Sequence, residues 1–343
     1  MDFNFFLSSY YPDPSYGGAR LFADMVDEAV LVEQLGFASV SIPEHHLVNV
    51  LLNPAPLQFA VKVADATDHL DIVTSVAVLP LHDMRIFAGE VAMADILTDG
   101  RLVLGVGRGA FGYEMQRLGT PLEESRAKFD ESLEVLLRLL TEYEVEHHGE
   151  YYDFEPITIM PRPLTVPRPR IMIATMNREG IRNATLRGFD VQTTPLAGDP
   201  GLFEMQVDAH KEAKAEMGAA GDPLRIMLSR VVYCARNEAD RREKLEMAHE
   251  YYRRFDNVFT GPGLVKDGCI AALPRVQTIE ELDANILIAT PEQMIDELGV
   301  YAERGIDEFI LSSHLGQSLE ETTEMLHRFH TVVMPQVGAG VAP

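Results

Sequence analysis

Short apolar runs alternate with longer amphipathic segments along most of this chain. The apolar runs are rich in Val, Ile, Leu and Phe, which is typical of buried strands. We predict strands at 3–8, 36–42, 71–79, 101–106, 170–174, 189–194, 224–234 and 308–312. Between them, apolar residues recur at the spacing of one helix face. We predict helices at 21–35, 55–68, 85–97, 123–140, 178–187, 202–217, 238–254, 291–304 and 319–333.

This alternation decides the fold class. Strands that are separated by helical crossovers run parallel, and eight of them are the number that closes a barrel. A doubly wound open sheet is the alternative, but the glycine-rich turn expected after its first strand is missing. We therefore predict an α/β protein with a single domain over residues 1–343, a (β/α)8 TIM barrel with insertions.

Two stretches interrupt the pattern. Residues 144–169 are rich in Tyr and Pro and have no helical period, so we predict an extended segment lying over the barrel. Residues 255–289 form a long connection that contains Gly261, Gly263 and Gly268. The glycine-containing tail at 338–341 is expected to be frayed.

Composition excludes several classes of function. The chain has 29 Lys and Arg against 53 Asp and Glu, a formal charge of -24, which argues against nucleic acid or an anionic membrane as partner. Its two cysteines, Cys234 and Cys269, have no metal-ligand spacing and form no disulfide framework. No apolar run reaches the roughly 18 residues of a membrane span, and no basic and apolar leader pattern opens the chain. We predict a soluble cytoplasmic protein without a metal site.

A polar cluster, Glu44-His45-His46, follows the second predicted strand. Parallel α/β proteins build their sites at the carboxyl ends of their strands, so this is a candidate for catalysis. Side chains alternate along a strand; if Ser39 and Ser41 face the barrel interior, His45 does too and His46 faces away. The alternative interpretation is a solvated loop at a strand end.

A glycine- and arginine-containing turn, Gly105-Val106-Gly107-Arg108-Gly109, follows the fourth predicted strand. Its glycines allow a flat or anionic ligand to approach the backbone closely, and Arg108 offers a planar charged fork for a phosphate. The alternative is a tight turn in which Arg108 pairs with a surface carboxylate.

A third candidate, Thr175-Met176-Asn177-Arg178, joins the fifth predicted strand to a helix. Backbone amides at a helix N-terminus attract anions, and Thr175, Asn177 and Arg178 add side-chain donors. Alternatively, Asn177 is a plain N-cap and Arg178 faces solvent. Neither a Gly-x-Ser-x-Gly elbow nor a Walker sequence is present, which disfavours acyl transfer and nucleotide hydrolysis.

Taken together, these stretches resemble the bacterial luciferase-like flavin-dependent monooxygenase family. The resemblance is carried, in family order, by Glu44-His45-His46, by residues 74–80, by the run from Gly100 through Gly109, and by residues 161–174. These motifs cover most of the chain, whereas the last hundred or so residues match only in general pattern.

The resemblance implies a barrel that binds reduced FMN supplied by a separate flavin reductase. In the family, O2 adds to the flavin to give a C4a-(hydro)peroxide that oxygenates a small organic substrate. His45 would act as acid, base or stabiliser near the flavin, with Glu44 as an orienting residue. Arg108 and the turn Thr175, Met176, Asn177 and Arg178 would contact the phosphate. A non-proline cis peptide beneath the flavin would fall near Ser75-Val76.

This sequence also departs from the luciferases. They carry a glutamate-serine pair after the fifth strand and a cysteine before the phosphate-binding arginine, where this chain has Thr175-Met176 and Gly107. These differences argue against light emission from long-chain aldehydes, but not against flavin binding.

Two other functions remain open at this point. One is hydride transfer with a deazaflavin cofactor, and the other is a non-catalytic flavin-binding partner subunit. Because oxygen activation requires the exclusion of water, residues 255–289 are the candidate lid, with an ordered insertion against a partner subunit as the alternative. Family members are often dimers, so we expect a homodimer through the helices after the second and third strands.

Overall fold

The computed structural model describes residues 1–196 and 201–337, and the tail predicted to fray lies outside them. Its strands, in chain order, are β1 (Asp2–Phe6), β2 (Ser39–Ile42), β3 (Asp71–Thr74), β4 (Ala77–Val78), β5 (Leu102–Gly107), β6 (Val145–His148), β7 (Asp153–Ile157), β8 (Arg170–Ala174), β9 (Asp190–Thr193), β10 (Ile226–Cys234), β11 (Val265–Lys266), β12 (Cys269–Ile270), β13 (Leu287–Ala289) and β14 (Glu308–Ser312).

The α-helices cover most of the connections between these strands. They are α1 (Gly18–Gln34), α2 (Pro56–Ala66), α3 (Met84–Leu97), α4 (Gly112–Arg117), α5 (Leu122–Thr141), α6 (Arg178–Leu186), α7 (Gly201–Met217), α8 (Glu238–Phe259), α9 (Ile279–Asp283), α10 (Pro291–Glu303), α11 (Leu319–Arg328) and α12 (Met334–Val337). Within this described part of the chain, no helix is both long and apolar enough to cross a membrane. The cytoplasmic location stays a prediction.

The parallel strands close into a barrel in the order β1-β2-β3-β5-β8-β9-β10-β14, with β14 returning to β1. Each neighbouring pair is parallel, so the predicted (β/α)8 barrel is confirmed. The third predicted strand, 71–79, is split into β3 and the short β4, which also pairs with β5. The residues between them, Ser75 and Val76, are joined by a cis peptide bond.

Side chains that point inward fill the lower part of the barrel. One apolar layer consists of Phe6, Val73, Val103, Met172, Met227 and Ile310. Toward the amino-terminal ends of the strands, Asn4 donates hydrogen bonds to Ser39 Oγ at 2.6 Å and to Glu308 Oε1 at 2.9 Å. Ser39 therefore faces the interior, which is the condition under which the alternation along β2 turns His45 inward as well. These layers close the barrel below, which leaves its carboxyl end for a ligand.

The first interruption of the pattern, 144–169, contains an antiparallel hairpin of β6 and β7. It is extended, as predicted, but it is held on helix α5, in the outer layer of the fold. Glu131 accepts hydrogen bonds from the backbone N–H groups of Tyr151 and Tyr152, and Ser132 Oγ lies 2.9 Å from the Tyr152 hydroxyl. Because hairpin strands must satisfy their backbone groups, the two arms pair with each other.

The second interruption, 255–289, is more ordered than its composition suggested. Helix α8 continues to Phe259, past the predicted end at 254, and β13 is a short strand that we did not predict, added beside β10. The side chain of Asn257, which is fully buried, ties the segment together: it bonds the backbone of Leu264 and Ala271 at 2.7 to 2.9 Å. Whether this segment opens as a lid stays a prediction.

Candidate active site

A cavity of about 1200 Å³ opens at the carboxyl end of the barrel. The ends of β2, β3, β4, β5 and β8 converge there because parallel strands all point the same way. The residues that the resemblance assigned to catalysis or cofactor binding all line this cavity: Glu44, His45, Ser75, Val76, Arg108, Thr175, Met176, Asn177 and Arg178.

A buried carboxylate fixes the orientation of His45. Its Nδ1 lies 2.7 Å from Oε1 of Glu114, while Oε2 of Glu114 accepts a hydrogen bond from the backbone N–H of His46 at 2.7 Å. The His45 ring also stacks on Phe111, with ring centroids 4.1 Å apart. A carboxylate at Nδ1 favours the neutral tautomer that carries its proton there, so Nε2 is left as an acceptor. Glu114 is 1% exposed and lies on the short helix α4.

Glu44 is equally buried but makes a different set of contacts. It accepts hydrogen bonds from the Val78 backbone N–H at 2.7 Å, from His46 Nε2 at 2.8 Å and from His82 Nε2 at 2.9 Å. It therefore orients His46 and His82, whereas Glu114 orients His45. Neither Glu114 nor His82 was found from the sequence, because no local pattern links them to the Glu-His-His run.

The charge state of Glu44 follows from these contacts. Burial by itself raises the pKa of Glu44, but the hydrogen bonds from His46, His82 and Val78 outweigh it and hold the pKa at about 2. The hydrogen bond to Glu44 in turn raises the pKa of His46. The Glu44 carboxylate is therefore shared by the imidazoles of His46 and His82, at the end of β2.

The glycines of β5 are required by its neighbouring strands. A Cβ on Gly105 would lie 1.9 Å from the Thr74 carbonyl oxygen, and one on Gly107 would lie 2.7 Å from Val76 Cγ2. Both distances are shorter than carbon atoms tolerate, so no larger residue fits. The glycines therefore allow two close contacts inside the barrel wall: Gly105 approaches the backbone of Thr74, and Gly107 approaches the side chain of Val76. These contacts bring Val76 and the cis peptide to the cavity surface.

The rim beyond β5 carries an available cation. The Arg108 side chain is exposed, and its guanidinium makes one long contact, to Ser125 Oγ at 3.4 Å. In the described part of the chain no carboxylate lies within ion-pair distance of it, so the alternative of a surface ion pair is not observed. Arg126, the next residue after Ser125, lines the same cavity.

The residues of the turn after β8 line the cavity, and some of them also stabilise helix α6, which follows. Asn177 caps α6 by accepting a hydrogen bond from the Gly180 N–H at 2.8 Å, and Arg178 pairs with Glu212 on α7. The N-cap interpretation of Asn177 is therefore correct. Thr175 packs so closely on Gly180 that a Cβ there would lie 2.2 Å from Thr175 Oγ1. Capping leaves other N–H groups of the first turn of α6 without a helical partner, and Arg178, Glu179 and Gly180 of that turn line the cavity.

Aromatic rings from α8 cover the cavity above His45. Phe255 and Phe259 contact Phe111 edge-on, with centroids 5.7 and 5.9 Å away. All three rings line the cavity. The beginning of the predicted lid segment is therefore an apolar wall of the site. Across the described residues, no group of three or more His, Cys, Asp or Glu side chains is arranged to hold a metal ion.

Comparison with known proteins places this geometry in a family. Residues 1–308 match the family described as luciferase-like monooxygenase. The oxygenase component of a flavin-dependent trigonelline monooxygenase from Acinetobacter baylyi is 28% identical over 326 residues, which cover 92% of this chain and 90% of that protein.

Two solved structures share the whole fold. Monooxygenase RslO1 from Streptomyces bottropensis superposes with a TM-score of 0.82 at 23% identity, covering 98% of this chain and 99% of that one. An F420-dependent secondary alcohol dehydrogenase in complex with an F420-acetone adduct gives a TM-score of 0.76 at 19% identity, again with 98% and 99% coverage. Because the family match extends over most of the sequence and the barrel, this chain belongs to the luciferase-like monooxygenase family.

Proposed function

We propose that this chain is the oxygenase component of a two-component monooxygenase that uses reduced FMN, supplied by a separate flavin reductase, to oxygenate a small organic substrate. Reduced FMN would supply two electrons, so that one atom of O2 enters the substrate and the other leaves as water. The observation that carries the proposal is His45, held by buried Glu114 with its Nε2 free, at the edge of a cavity that is large enough for a flavin.

The cavity fits FMN in both size and chemistry. Its volume of about 1200 Å³ exceeds the upper end of the range of roughly 300–1,000 Å³ typical of ligand pockets, which leaves room for a flavin and a substrate. Arg108 provides a cation for a phosphate at the rim. Thr193 lines the cavity, and its buried Oγ1 has no hydrogen-bond partner among the described residues. Buried polar atoms are normally hydrogen-bonded, so this hydroxyl is available to bond a ligand.

The chain's own residues supply proton control and exclude water. With Nδ1 bonded to Glu114, Nε2 of His45 is the atom that exchanges a proton with the bound reactants. Phe111, which stacks on His45, and the rings of Phe255 and Phe259 beside it line the cavity with apolar surface, which disfavours water there.

The decisive experiment is product analysis with labelled oxygen. The purified chain, FMN, NADH and a flavin reductase are incubated under ¹⁸O2 with a panel of small organic compounds. The proposal expects a product that carries one ¹⁸O atom and depends on both reductase and O2. Oxygen-independent turnover with a deazaflavin would instead establish hydride transfer. This is the second candidate function, because an F420-dependent dehydrogenase has the same fold. If no product carries ¹⁸O and O2 is consumed no faster than by reductase, NADH and FMN without the chain, a non-catalytic subunit is favoured.

Replacing Arg108 with alanine is expected to weaken FMN binding. A charge-assisted contact to phosphate is worth roughly 1.5–3 kcal/mol, so the dissociation constant should rise about 10- to 150-fold. Fluorescence titration of FMN measures this directly. The matched control is Arg182→Ala, because Arg182 lies on α6 but pairs with Glu212 and Glu216 outside the cavity lining. Equal affinities in the two variants would remove Arg108 from the site.

The outer face of α3 supports the expected homodimer. Ile86, Met93 and Leu97 follow one another at helical spacing, and each is at least half exposed. Soluble monomers seldom leave such apolar stripes uncovered, and a second copy of the same helix would bury this one. We propose that α3 contributes to a homodimer interface. Light scattering should then give twice the 38.2 kDa of one chain, and Met93→Glu should shift the mass toward the monomer.

A further inference from the structure

The imidazole ring of His45 is held in two directions. Its Nδ1 lies 2.7 Å from Glu114 Oε1, and one ring face lies against Phe111, with centroids 4.1 Å apart and ring planes 21° apart. A hydrogen bond at one nitrogen leaves the ring plane free to rotate, because the last torsion of a histidine side chain has broad minima. A flat ring against its face removes much of that freedom. Phe111 therefore fixes the plane of the imidazole, and with it the direction in which Nε2 faces.

Both contacts come from one short piece of chain. Phe111 is the N-cap residue of α4, and Glu114 lies in the first turn of that helix. Both side chains are almost completely buried, at 2% and 1% exposed. Helix α4 has six residues, and a helix of that length is not stable without packing against other elements. The position of His45 therefore depends on the elements that pack against α4.

The end of α8 is one of these elements. The rings of Phe255 and Phe259 are one helical turn apart, stack on each other with centroids 5.4 Å apart, and both contact Phe111 edge-on. Just beyond α8, Gly263 approaches Tyr113 of α4 closely, since a Cβ on Gly263 would lie 3.3 Å from Tyr113 Cβ. The part of the chain that covers the cavity is thus in contact with the residue that fixes the plane of His45.

We propose, resting on the function proposed above, that Phe111 is a positioning residue for His45 and that Phe255 and Phe259 act on His45 through Phe111. The contacts run from α8 to Phe111 and from Phe111 to the imidazole. Packing of α8 then has two effects, since it covers the cavity and fixes the group that exchanges a proton. Without these rings Nε2 turns out of line with the bound reactants, and misalignment of a reacting group lowers the rate.

The position of the imidazole can be measured without flavin or substrate. In protein with ¹³C at Cε1 of histidine, the His45 signal is the one that His45→Ala removes. A proton at the face of an aromatic ring resonates upfield, so Phe111→Leu, which keeps an apolar side chain but removes the ring, should move this signal downfield. Phe259→Leu should move it in the same direction by a smaller amount.

The matched control for these variants is Phe22→Leu. The ring of Phe22 contacts that of Phe59 at 5.5 Å, a similar aromatic pair, and neither residue lines the cavity. This substitution should leave both the His45 signal and the activity unchanged. If Phe111→Leu does not fold, Phe259→Leu carries the test, because the Phe259 ring is only half-buried.

Turnover gives the second measurement. A stacked pair of rings contributes a factor of roughly 2 to 12, so Phe111→Leu should lower kcat about 2- to 12-fold. The KM of the substrate should change little, because positioning acts on the transition state. Phe111→Tyr keeps a flat face and should recover part of the loss. The double variant Phe111→Leu/Phe259→Leu should be no slower than Phe111→Leu, since Phe259 acts through Phe111.

Other results would overturn the proposal in distinct ways. A His45 signal that does not move in Phe111→Leu would remove the positioning role, whatever the activity. A higher KM with an unchanged kcat would make Phe111 a wall of the substrate pocket instead. Additive losses in the double variant would show that Phe259 does not act through Phe111. The expected signal shifts without ¹⁸O in any product would uphold the positioning of His45 and reject the monooxygenase function.

Discussion

Substituting alanine for His45 is expected to reduce product formation by at least about 100-fold, the lower bound for losing a positioned acid–base group. The imidazole is the group that Glu114 holds toward the cavity, and alanine leaves no atom that can exchange a proton there. FMN affinity should change little, because the proposed phosphate contact is made by Arg108 and not by His45. The measurement is product formed per FMN oxidised, beside an FMN titration.

The matched control for this variant is His148→Ala. His148 is an exposed histidine on the hairpin strand β6 and pairs with Asp153, and neither residue lines the cavity. It should retain the activity of the unaltered protein. Glu114→Gln tests the positioning role separately: it keeps the shape of the side chain but loses the charge, so it should lower product formation less than His45→Ala does. Full activity in the His45 variant would contradict the assignment.

Replacing Glu44 with glutamine is expected to cost stability that depends on pH. A pKa of about 2 in the fold, against an ordinary value of 4.5, corresponds to on the order of 3 kcal/mol of stabilisation by the ionised form. Because the folded pKa is depressed, this contribution is present above pH 4.5 and is lost as the pH falls from 4.5 toward 2. Urea unfolding of both proteins across this range measures the difference.

The partner His46 sets the upper limit of that window. Its pKa is raised by Glu44 from an ordinary value of 6.5, so its contribution is present below 6.5 and is lost as the pH rises through the folded pKa. The stability difference between the unaltered protein and Glu44→Gln should therefore be largest between about pH 4.5 and 6.5 and smaller on both sides. A difference that stays constant from pH 6 to pH 3 would show that the charge on Glu44 contributes nothing.

The sequence by itself determined the elements and their order. Strand and helix periods are local properties, since a residue's neighbours along the chain decide which face it shares. Eight parallel strands with helical crossovers then leave one closed arrangement, whose strand ends must meet. For that reason the sequence alone predicts that Glu44, His45, Arg108 and the turn after β8 lie at one end of the barrel.

The sequence also indicated which features had no regular period. The segment 144–169 was expected to be extended and is so, but its pairing into β6 and β7 and its attachment to α5 depend on partners that no period encodes. The strand β13 escaped prediction because three residues are too short for a pattern. The pairing of such short strands depends on which backbone N–H and C=O groups lie close to them in space, and composition does not determine this.

Only the tertiary structure decided how the site works in detail. Glu114, sixty-nine residues away in sequence, lies next to His45. Glu44 bonds His46 and His82 instead. Arg178 forms an ion pair with Glu212, whereas Arg108 has no carboxylate within ion-pair distance in the described part of the chain. The tertiary structure also showed that Gly105 and Gly107 are small because the neighbouring strand is close. The physical reason is common to all of these. Hydrogen bonds, ion pairs and close contacts depend on the distance between atoms in space, and that distance cannot be read from the separation of two residues along the chain.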